Sequence, residues 1–248
     1  MELITSVRNP KVASWKSLRE RKGRDMLDAF LVEGEKMVRE ALASGFELQA
    51  LLIRENYECP FQLPDHIPSF ILSGSAFSAV SETRSPQGIA AVLRRKVLPL
   101  SGNRFVALDA VQDPGNVGTI IRTADAAGFD GVLLGHSCAD LFSPKVLRST
   151  MGSIFRMRFS FPDSLADDLL KFRDQGYSVI SSQLEGDSFY ERKNISPSFV
   201  LVIGNEGNGI SGPVREVATH RLRLPMRGGA ESLNAAVAAG IMMYDLMK

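Results

Sequence analysis

The chain has 248 residues, 44% apolar and 23% charged, enough for one large domain or two compact ones with an ample core. A net charge of +1 excludes both a uniformly basic nucleic-acid coat and an acidic disordered chain. Two distant cysteines, Cys59 and Cys138, make no disulfide framework, and His66, His136 and His220 lack metal-ligand spacing, so no zinc site is expected. Residues 1–9 lack the apolar stretch of a secretion signal, and no later window nears 18 uncharged apolar residues. A cytoplasmic protein without a membrane span is therefore expected.

Residues 9–24 read as one helix, with Asn9 as its cap and Pro10 in the first position. A strand at 30–32 leads into a helix over 33–44 that Gly45 stops. Strands follow at 48–53 and 70–72, separated by a loop that Pro60, Pro64 and Pro68 break up. A short helix over 75–81 and a strand at 89–93 complete a small α/β domain, residues 1–95. Residues 96–103, with Pro99, Ser101 and Gly102, read as a linker.

From Arg104 the texture changes. Residues 105–108, Phe-Val-Ala-Leu, form a continuous apolar run, as expected of a strand buried on both faces. A helix over 116–127 ends at Gly128, and a strand at 132–134 precedes a helix over 143–151. Another helix covers 164–175, with strands at 177–180 and 199–203, a helix from Ser211, a strand at 221–224 and a last helix over 232–247. Alternating strands and helices predict βαβ units and a parallel sheet over residues 104–248.

The near-neutral total conceals a local asymmetry. Residues 1–24 carry Arg8, Lys11, Lys16, Arg19, Arg21, Lys22 and Arg24 against Glu2 and Glu20, a local net of +5. Such a run points to an anionic partner such as a phosphate backbone, or else to a solvated helix face. Trp15, inside it, either stacks on a base or anchors the core.

Three glycine-bearing polar loops follow or flank apolar strands in the second half. The first runs Asp113-Pro114-Gly115-Asn116-Val117-Gly118 and continues to Arg122 and Ala124. The second is Gly204-Asn205-Glu206-Gly207-Asn208-Gly209-Ile210-Ser211, and the third runs from Leu224-Pro225-Met226 through Glu231-Ser232-Leu233-Asn234. In a parallel sheet such loops converge at the carboxyl ends of the strands, where ligands sit. No G-x-G-x-x-G follows a strand, no P-loop exists, and no G-x-S-x-G elbow occurs.

Together the three loops resemble the motifs of the SpoU (TrmH) family of RNA 2′-O-ribose methyltransferases, of the SPOUT superfamily. The resemblance covers residues 104–246 and extends to Phe142-Ser143-Pro144-Lys145-Val146-Leu147-Arg148-Ser149. Segment 4–34, with Ser6-Val7-Arg8-Asn9-Pro10 and Phe30-Leu31-Val32-Glu33-Gly34, is similar to the L30e-like substrate-binding domain of many family members. The resemblance implies a C-terminal α/β trefoil-knot methyltransferase domain that binds S-adenosylmethionine in a bent conformation, largely through backbone. It puts Gly204, Leu224, Met226, Ser232 and Leu233 at the cofactor, and Arg122, Asn116, Glu206, Ser232 and Asn234 at the polar active-site positions. It also implies a homodimer through the knotted domain and an RNA substrate gripped by Arg8, Lys11, Lys16, Arg19, Arg21 and Lys22. Ribosomal RNA, of the large 23S type, is favoured over transfer RNA.

The residue types suit that chemistry. A ribose 2′-hydroxyl is a poor nucleophile, so methyl transfer needs positioning and help with the proton. A guanidinium stays protonated at ordinary pH, so Arg122 fits a clamp for phosphate and developing alkoxide better than a base. Glu206, the only carboxylate in the second loop, either orients Arg122 or accepts a proton. Asn116 and Ser232 also stand where the helices over 116–127 and 232–247 open, so both read equally as caps. In the last helix Leu233, Ala236, Val237, Gly240, Ile241 and Tyr244 form one apolar stripe, either core packing or a dimer face. The charges in Arg156-Met157-Arg158 depart from the family pattern and mark either an RNA face or a sheet edge. Two rival functions remain: a knotted RNA-binding protein without catalysis, and a nucleotide-binding α/β enzyme of small metabolites.

Overall fold

A computed structural model describes residues 2–248. In chain order the first elements are β1 (Glu2–Ile4), α1 (Pro10–Ser17), α2 (Arg21–Leu27), β2 (Ala29–Glu33), α3 (Glu35–Leu42), β3 (Leu48–Arg54), β4 (Ser69–Leu72), α4 (Gly74–Val80) and β5 (Ile89–Arg94). There follow β6 (Arg104–Asp109), α5 (Pro114–Ala127), β7 (Gly131–Leu134), α6 (Pro144–Thr150), β8 (Arg158–Ser160) and α7 (Leu165–Asp174). The chain ends with β9 (Ser178–Ser188), β10 (Phe199–Gly204), α8 (Gly212–Val217), β11 (His220–Arg223) and α9 (Ala235–Leu246). It divides into two compact units, one running to Lys96 and including Asp140–Phe155, the other formed by Val97–Ala139 and Arg156–Lys248. Among the described residues no helix is long and apolar enough to cross a membrane.

The first unit is built on a mixed five-stranded sheet, β1-β4-β3-β5-β2. Trp15 is buried and tilted against Phe70 at 5.1 Å, in a core with Val12, Leu52, Phe77 and Val92, so it is the anchor and not a base platform. Asn9 does cap α1, accepting from the Lys11 amide, and Pro10 is its first residue. The expected single helix over 9–24 is broken, however, at Leu18. Arg24 is the cause: its guanidinium donates 2.8 Å bonds to the Leu18 and Arg19 carbonyls, satisfying acceptors that a continuing helix would use. A 2.6 Å ion pair with Asp140 holds that guanidinium in place with its side chain only 4% exposed. Gly23 allows the turn, because a Cβ there would fall 2.1 Å from the Ser17 carbonyl oxygen.

The second unit is an all-parallel sheet in the order β11-β9-β10-β6-β7-β8. Strands β6, β7 and β10 are buried along nearly their whole length, which is why their sequences are continuous apolar runs and not alternating ones. The order of connections reverses between β6 and β10: the chain steps from β6 outward to β7 and β8, then returns to the other side through β9 and β10. That places a topological switch point at the carboxyl ends of β6 and β10, at Asp109 and Gly204, which stand opposite each other in register.

Several expected boundaries shift for local reasons. Of the expected linker, 96–103, all but Lys96 packs in the second unit: the Leu98 carbonyl accepts from the Phe159 amide at 3.1 Å and the Pro99 carbonyl from the Arg158 guanidinium at 3.0 Å. Arg158 opens the edge strand β8, whereas Arg156, two residues before it, pairs with Asp125 of α5 at 2.8 Å. Helix α5 begins two residues before Asn116, since Asp113 is its cap and Pro114 its first residue. Helix α9 begins three residues after Ser232, capped by Asn234. Ser232 is thus outside the helix and Asn116 inside one, and neither caps.

Candidate active site

The switch point gathers all three loops. Strand β10 ends at Gly204, where a Cβ would lie 2.4 Å from the Gly209 carbonyl carbon, so only glycine lets the second loop fold back this tightly. Asn205 and Gly209 exchange backbone hydrogen bonds of 2.9 Å in each direction. The Asn205 side chain closes the turn: Oδ1 accepts from the amides of Gly207 and Asn208, and Nδ2 donates to the Ala110 carbonyl at 2.8 Å. Asp109, buried at the end of β6, accepts from the Ser211 amide at 2.7 Å. The second loop is therefore tied at both ends to the start of the first.

Glu206 projects from this loop and binds the first one. Its carboxylate accepts from Asn116 Nδ2 at 2.9 Å and from the amides of Gln112 and Asp113, each at 3.3 Å. Asn116 Oδ1 in turn accepts from Asn234 Nδ2 at 2.9 Å, while Asn234 Oδ1 accepts the Ala236 and Val237 amides that open α9. One chain of bonds, Glu206–Asn116–Asn234, thus joins the three motifs. Partial burial pushes the Glu206 carboxyl up, but the hydrogen bonds from Asn116 and from the backbone amides of Glu206, Gln112 and Asp113 outweigh it and hold it below its ordinary value. The group is ionised and engaged.

Arg122 stands apart. It is exposed on α5, six residues beyond Asn116, roughly 9 Å along the helix axis. Its side chain has no hydrogen bond or ion pair among the described residues. The expected orientation of Arg122 by Glu206 does not occur within the chain, because Asn116 and the 112–113 amides occupy the carboxylate.

Beneath the network lies a cavity of about 360 Å³. Gly204, Leu224, Met226, Ser232 and Leu233, the five expected cofactor positions, all line it, and so do Glu206 and Asn234. Sequence reasoning missed two further stretches of wall. Ser182, Gln183 and Leu184 line the cavity because β9 bulges: Arg221 pairs with Ser181, but the next residue, Leu222, pairs with Asp187. Nothing in the local pattern marks that bulge. Asn205 also lines it, and there a signal existed, an asparagine two residues before a glycine, the usual asparagine turn. A larger opening of about 570 Å³ elsewhere in this unit, between Leu100, Phe159 and Phe172, holds none of the candidate groups, and its Lys171 is already paired with Asp168 at 2.7 Å.

The six expected RNA-binding residues are all exposed in the first unit. Lys11 pairs with Glu2 at 2.6 Å, Arg19 with Glu82 at 3.7 Å and Arg21 with Asp25 at 3.8 Å; Arg8, Lys16 and Lys22 are uncommitted among the described residues. On α9, Ala236 faces the core, whereas Val237, Ile241 and Tyr244 are 51%, 38% and 55% exposed. The apolar stripe is thus mostly a surface and not core packing.

Residues 103–244 match the SpoU rRNA Methylase family, and residues 9–91 match the MRM3-like substrate binding domain. The chain belongs to the SpoU rRNA methylase family. This SpoU chain is 44% identical to the 23S rRNA (guanosine(2553)-2′-O)-methyltransferase RlmP of Bacillus subtilis (strain 168), with 99% of both chains covered. An AdoMet-bound rRNA methyltransferase from Sinorhizobium meliloti matches it with a TM-score of 0.87 at 30% identity, over 99% of this chain and 97% of that one. The SpoU methyltransferase AviRb from Streptomyces viridochromogenes, in complex with the cofactor AdoMet, matches with a TM-score of 0.84 at 27% identity, over 97% of each chain.

Proposed function

We propose that this protein is a cytoplasmic S-adenosylmethionine-dependent methyltransferase that modifies a ribose 2′-hydroxyl in large, 23S-type rRNA. The observation that carries the reading is the cavity at the strand-order switch, rimmed by the Glu206–Asn116–Asn234 network, in a SpoU chain. The residues present suit the cofactor. The cavity volume falls in the range that encloses small molecules. Gly204 keeps one wall free of side chain, Leu224, Met226 and Leu233 offer apolar surface, and Ser232 adds a hydroxyl. When bound, S-adenosylmethionine supplies an electrophilic methyl group on a sulfonium centre.

The protein's own residues then do three things. Arg122, exposed and uncommitted, clamps the RNA phosphate and stabilises the alkoxide that develops at the 2′-oxygen. Asn116 and Asn234, fixed by each other and by Glu206, hold the attacking hydroxyl in line. Glu206 is a weaker base than a free carboxylate and its oxygens are occupied, so its role is to position Asn116 rather than to take the proton, which leaves the 2′-oxygen to solvent water as the methyl group is transferred. Ser232 fixes polar atoms of the bound molecules from the third loop. Arg8, Lys11, Lys16, Arg19, Arg21 and Lys22 contact RNA phosphates, with the three uncommitted ones contributing most. The exposed stripe of Val237, Ile241 and Tyr244 forms the face of a homodimer.

The test is methyl incorporation from labelled S-adenosylmethionine into total RNA of a strain lacking this gene, followed by sizing and nucleoside analysis. A 2′-O-methylnucleoside in the large rRNA is expected, and the nucleotide equivalent to guanosine 2553 is the first to map, given the RlmP relative. Label in the tRNA fraction alone would overturn the substrate. Cofactor binding with no label in any RNA would favour a knotted protein that only binds.

A further inference from the structure

The first unit contains a second cavity, of about 280 Å³, that the mechanism above does not use. Arg54, Asn56, Tyr57, Pro86 and Gln87 line it, from the end of β3 and the loop that enters β5. Its aromatic wall is fixed. The Tyr57 hydroxyl donates to Glu35 Oε1 at 2.9 Å, and the ring lies so close to Gly88 that a Cβ there would meet it at 2.6 Å. Gln87 is held from the same side, its Oε1 accepting the Glu35 amide at 3.1 Å. Burial, and then the Glu35 carboxylate, push the Tyr57 hydroxyl far above its ordinary pKa, so it remains a proton donor at any ordinary pH.

The charged groups around this cavity are unequally committed. Glu55, the carboxylate in its lining, already accepts the Gly74 amide at 2.8 Å. The Arg54 side chain is exposed with no hydrogen bond or ion pair among the described residues, and so are the side chains of Lys36, next to Glu35, and Arg84, two residues before Pro86. A rigid ring, a carboxamide and a free guanidinium around one open polar cavity match the chemistry by which unpaired nucleotides are read: stacking, an amide for the base edge, and a cation for the phosphate. A duplex, whose bases are stacked away, has nothing to place there.

We infer that the cavity at Arg54, Tyr57 and Gln87 receives one unpaired nucleotide of the RNA substrate. This rests on the RNA methyltransferase reading for the identity of the ligand, and the match of residues 9–91 to a substrate binding domain supports it. The site is separate from the basic run of residues 8–22 in what it reads. That run senses backbone charge, whereas this cavity senses single-strandedness.

The experiment uses the full-length protein and two labelled oligoribonucleotides, a hairpin with an unpaired loop and a fully paired duplex of the same stem. The wild type is expected to prefer the hairpin. Arg54→Ala, an exposed change that removes no bond, and Gln87→Ala should each weaken hairpin binding about tenfold while leaving duplex binding and cofactor affinity unchanged. Photocrosslinking of a hairpin carrying 5-iodouridine in its loop should give an adduct at Tyr57. Unaltered hairpin binding in Arg54→Ala, or loop adducts confined to residues 8–22, would overturn the assignment. Methyl transfer measured on the same preparations separates the two readings. Transfer with unaltered hairpin preference sinks the cavity alone. Lost hairpin preference in the variants, without transfer in the wild type, sinks the enzyme reading and leaves the cavity.

Discussion

Asn116 and Glu206, ninety positions apart, are joined by a 2.9 Å hydrogen bond in which the amide donates and the carboxylate accepts. The bond fixes the amide's orientation, because the other side of Asn116 must then present its carbonyl oxygen to Asn234. Glu206→Gln replaces one acceptor oxygen with an amino group, which faces the Gln112 amide if it takes the Oε2 place and the Asp113 amide and Asn116 Nδ2 if it takes the Oε1 place. Methyl transfer should fall about 100-fold with cofactor affinity changed far less, as measured by kcat and by equilibrium binding.

The same carboxylate sets a pH dependence. Its pKa in the folded protein lies below the unfolded value, so its stabilising effect is complete above the ordinary carboxylate range and fades as pH falls through the folded pKa. The difference in melting temperature between wild type and Glu206→Gln should therefore narrow on acidification below about pH 4. Between pH 6 and 9 the activity profile should show no inflection that Glu206→Gln removes.

Asn234 combines two duties that substitution can separate. Asn234→Asp keeps an oxygen for the Ala236 and Val237 amides but loses the donor to Asn116. Asn234→Ala loses both. Alanine should cost about 1 kcal/mol of stability, aspartate much less, in chemical denaturation. Both should lose methyl transfer, the aspartate variant because the network is broken and not because the helix frays.

Arg122 makes no bond that folding depends on. Arg122→Ala should leave stability within about 0.5 kcal/mol and cofactor affinity within a few fold, yet abolish methyl transfer. Arg122→Lys should rescue poorly, since an ammonium lacks the planar fork that grips phosphate. Near-native turnover in either variant would remove Arg122 from the mechanism.

Among the basic residues, commitment to an acid should rank the effects. Alanine at Arg8, Lys16 and Lys22 together should flatten the dependence of log K on log salt by about 2, at roughly 0.7 per lost phosphate contact on single strands. Alanine at Lys11, Arg19 and Arg21, each already paired, should flatten it less. Equal slopes in the two triple variants would mean that these ion pairs do not persist in solution.

How much was legible follows from the distance over which each feature is decided. The buried strands at 105–108, 132–134 and 199–203 announced themselves as unbroken apolar runs, and Asn9 and Gly128 as helix ends, because those choices are local. The break at Leu18 was not legible, since Arg24 causes it while held by Asp140, 116 positions away. Strands β1 and β8, three residues each, are too short for any periodicity. At the site, residue types were readable from the three motifs, but their partners were not. Of the two roles open to Glu206, orienting Arg122 or accepting a proton, the first does not occur within the chain: Glu206 binds Asn116, a choice made by how tightly Gly204 and Asn205 fold the second loop toward Ala110. Asp113 and Asn116 are both good caps three residues apart, and Pro114, which suits a first helical position, favours the earlier one.

Segment Asp140–Phe155 lies inside the stretch that matches the methylase family, yet it belongs to the compact unit of the first 96 residues. The stretch that matches the family and the compact units of the structure are therefore not the same pieces of chain. A fragment cut at the family boundary would carry Phe142 and Phe155, both buried in the intact protein, without Phe30 and Phe46, against which their rings pack. The severed first domain would meanwhile keep Arg24 without Asp140. Swapping substrate-binding domains between relatives of this protein would thus require exchanging two separate segments at once, which makes the pairing of this domain with this methylase hard to undo by simple recombination.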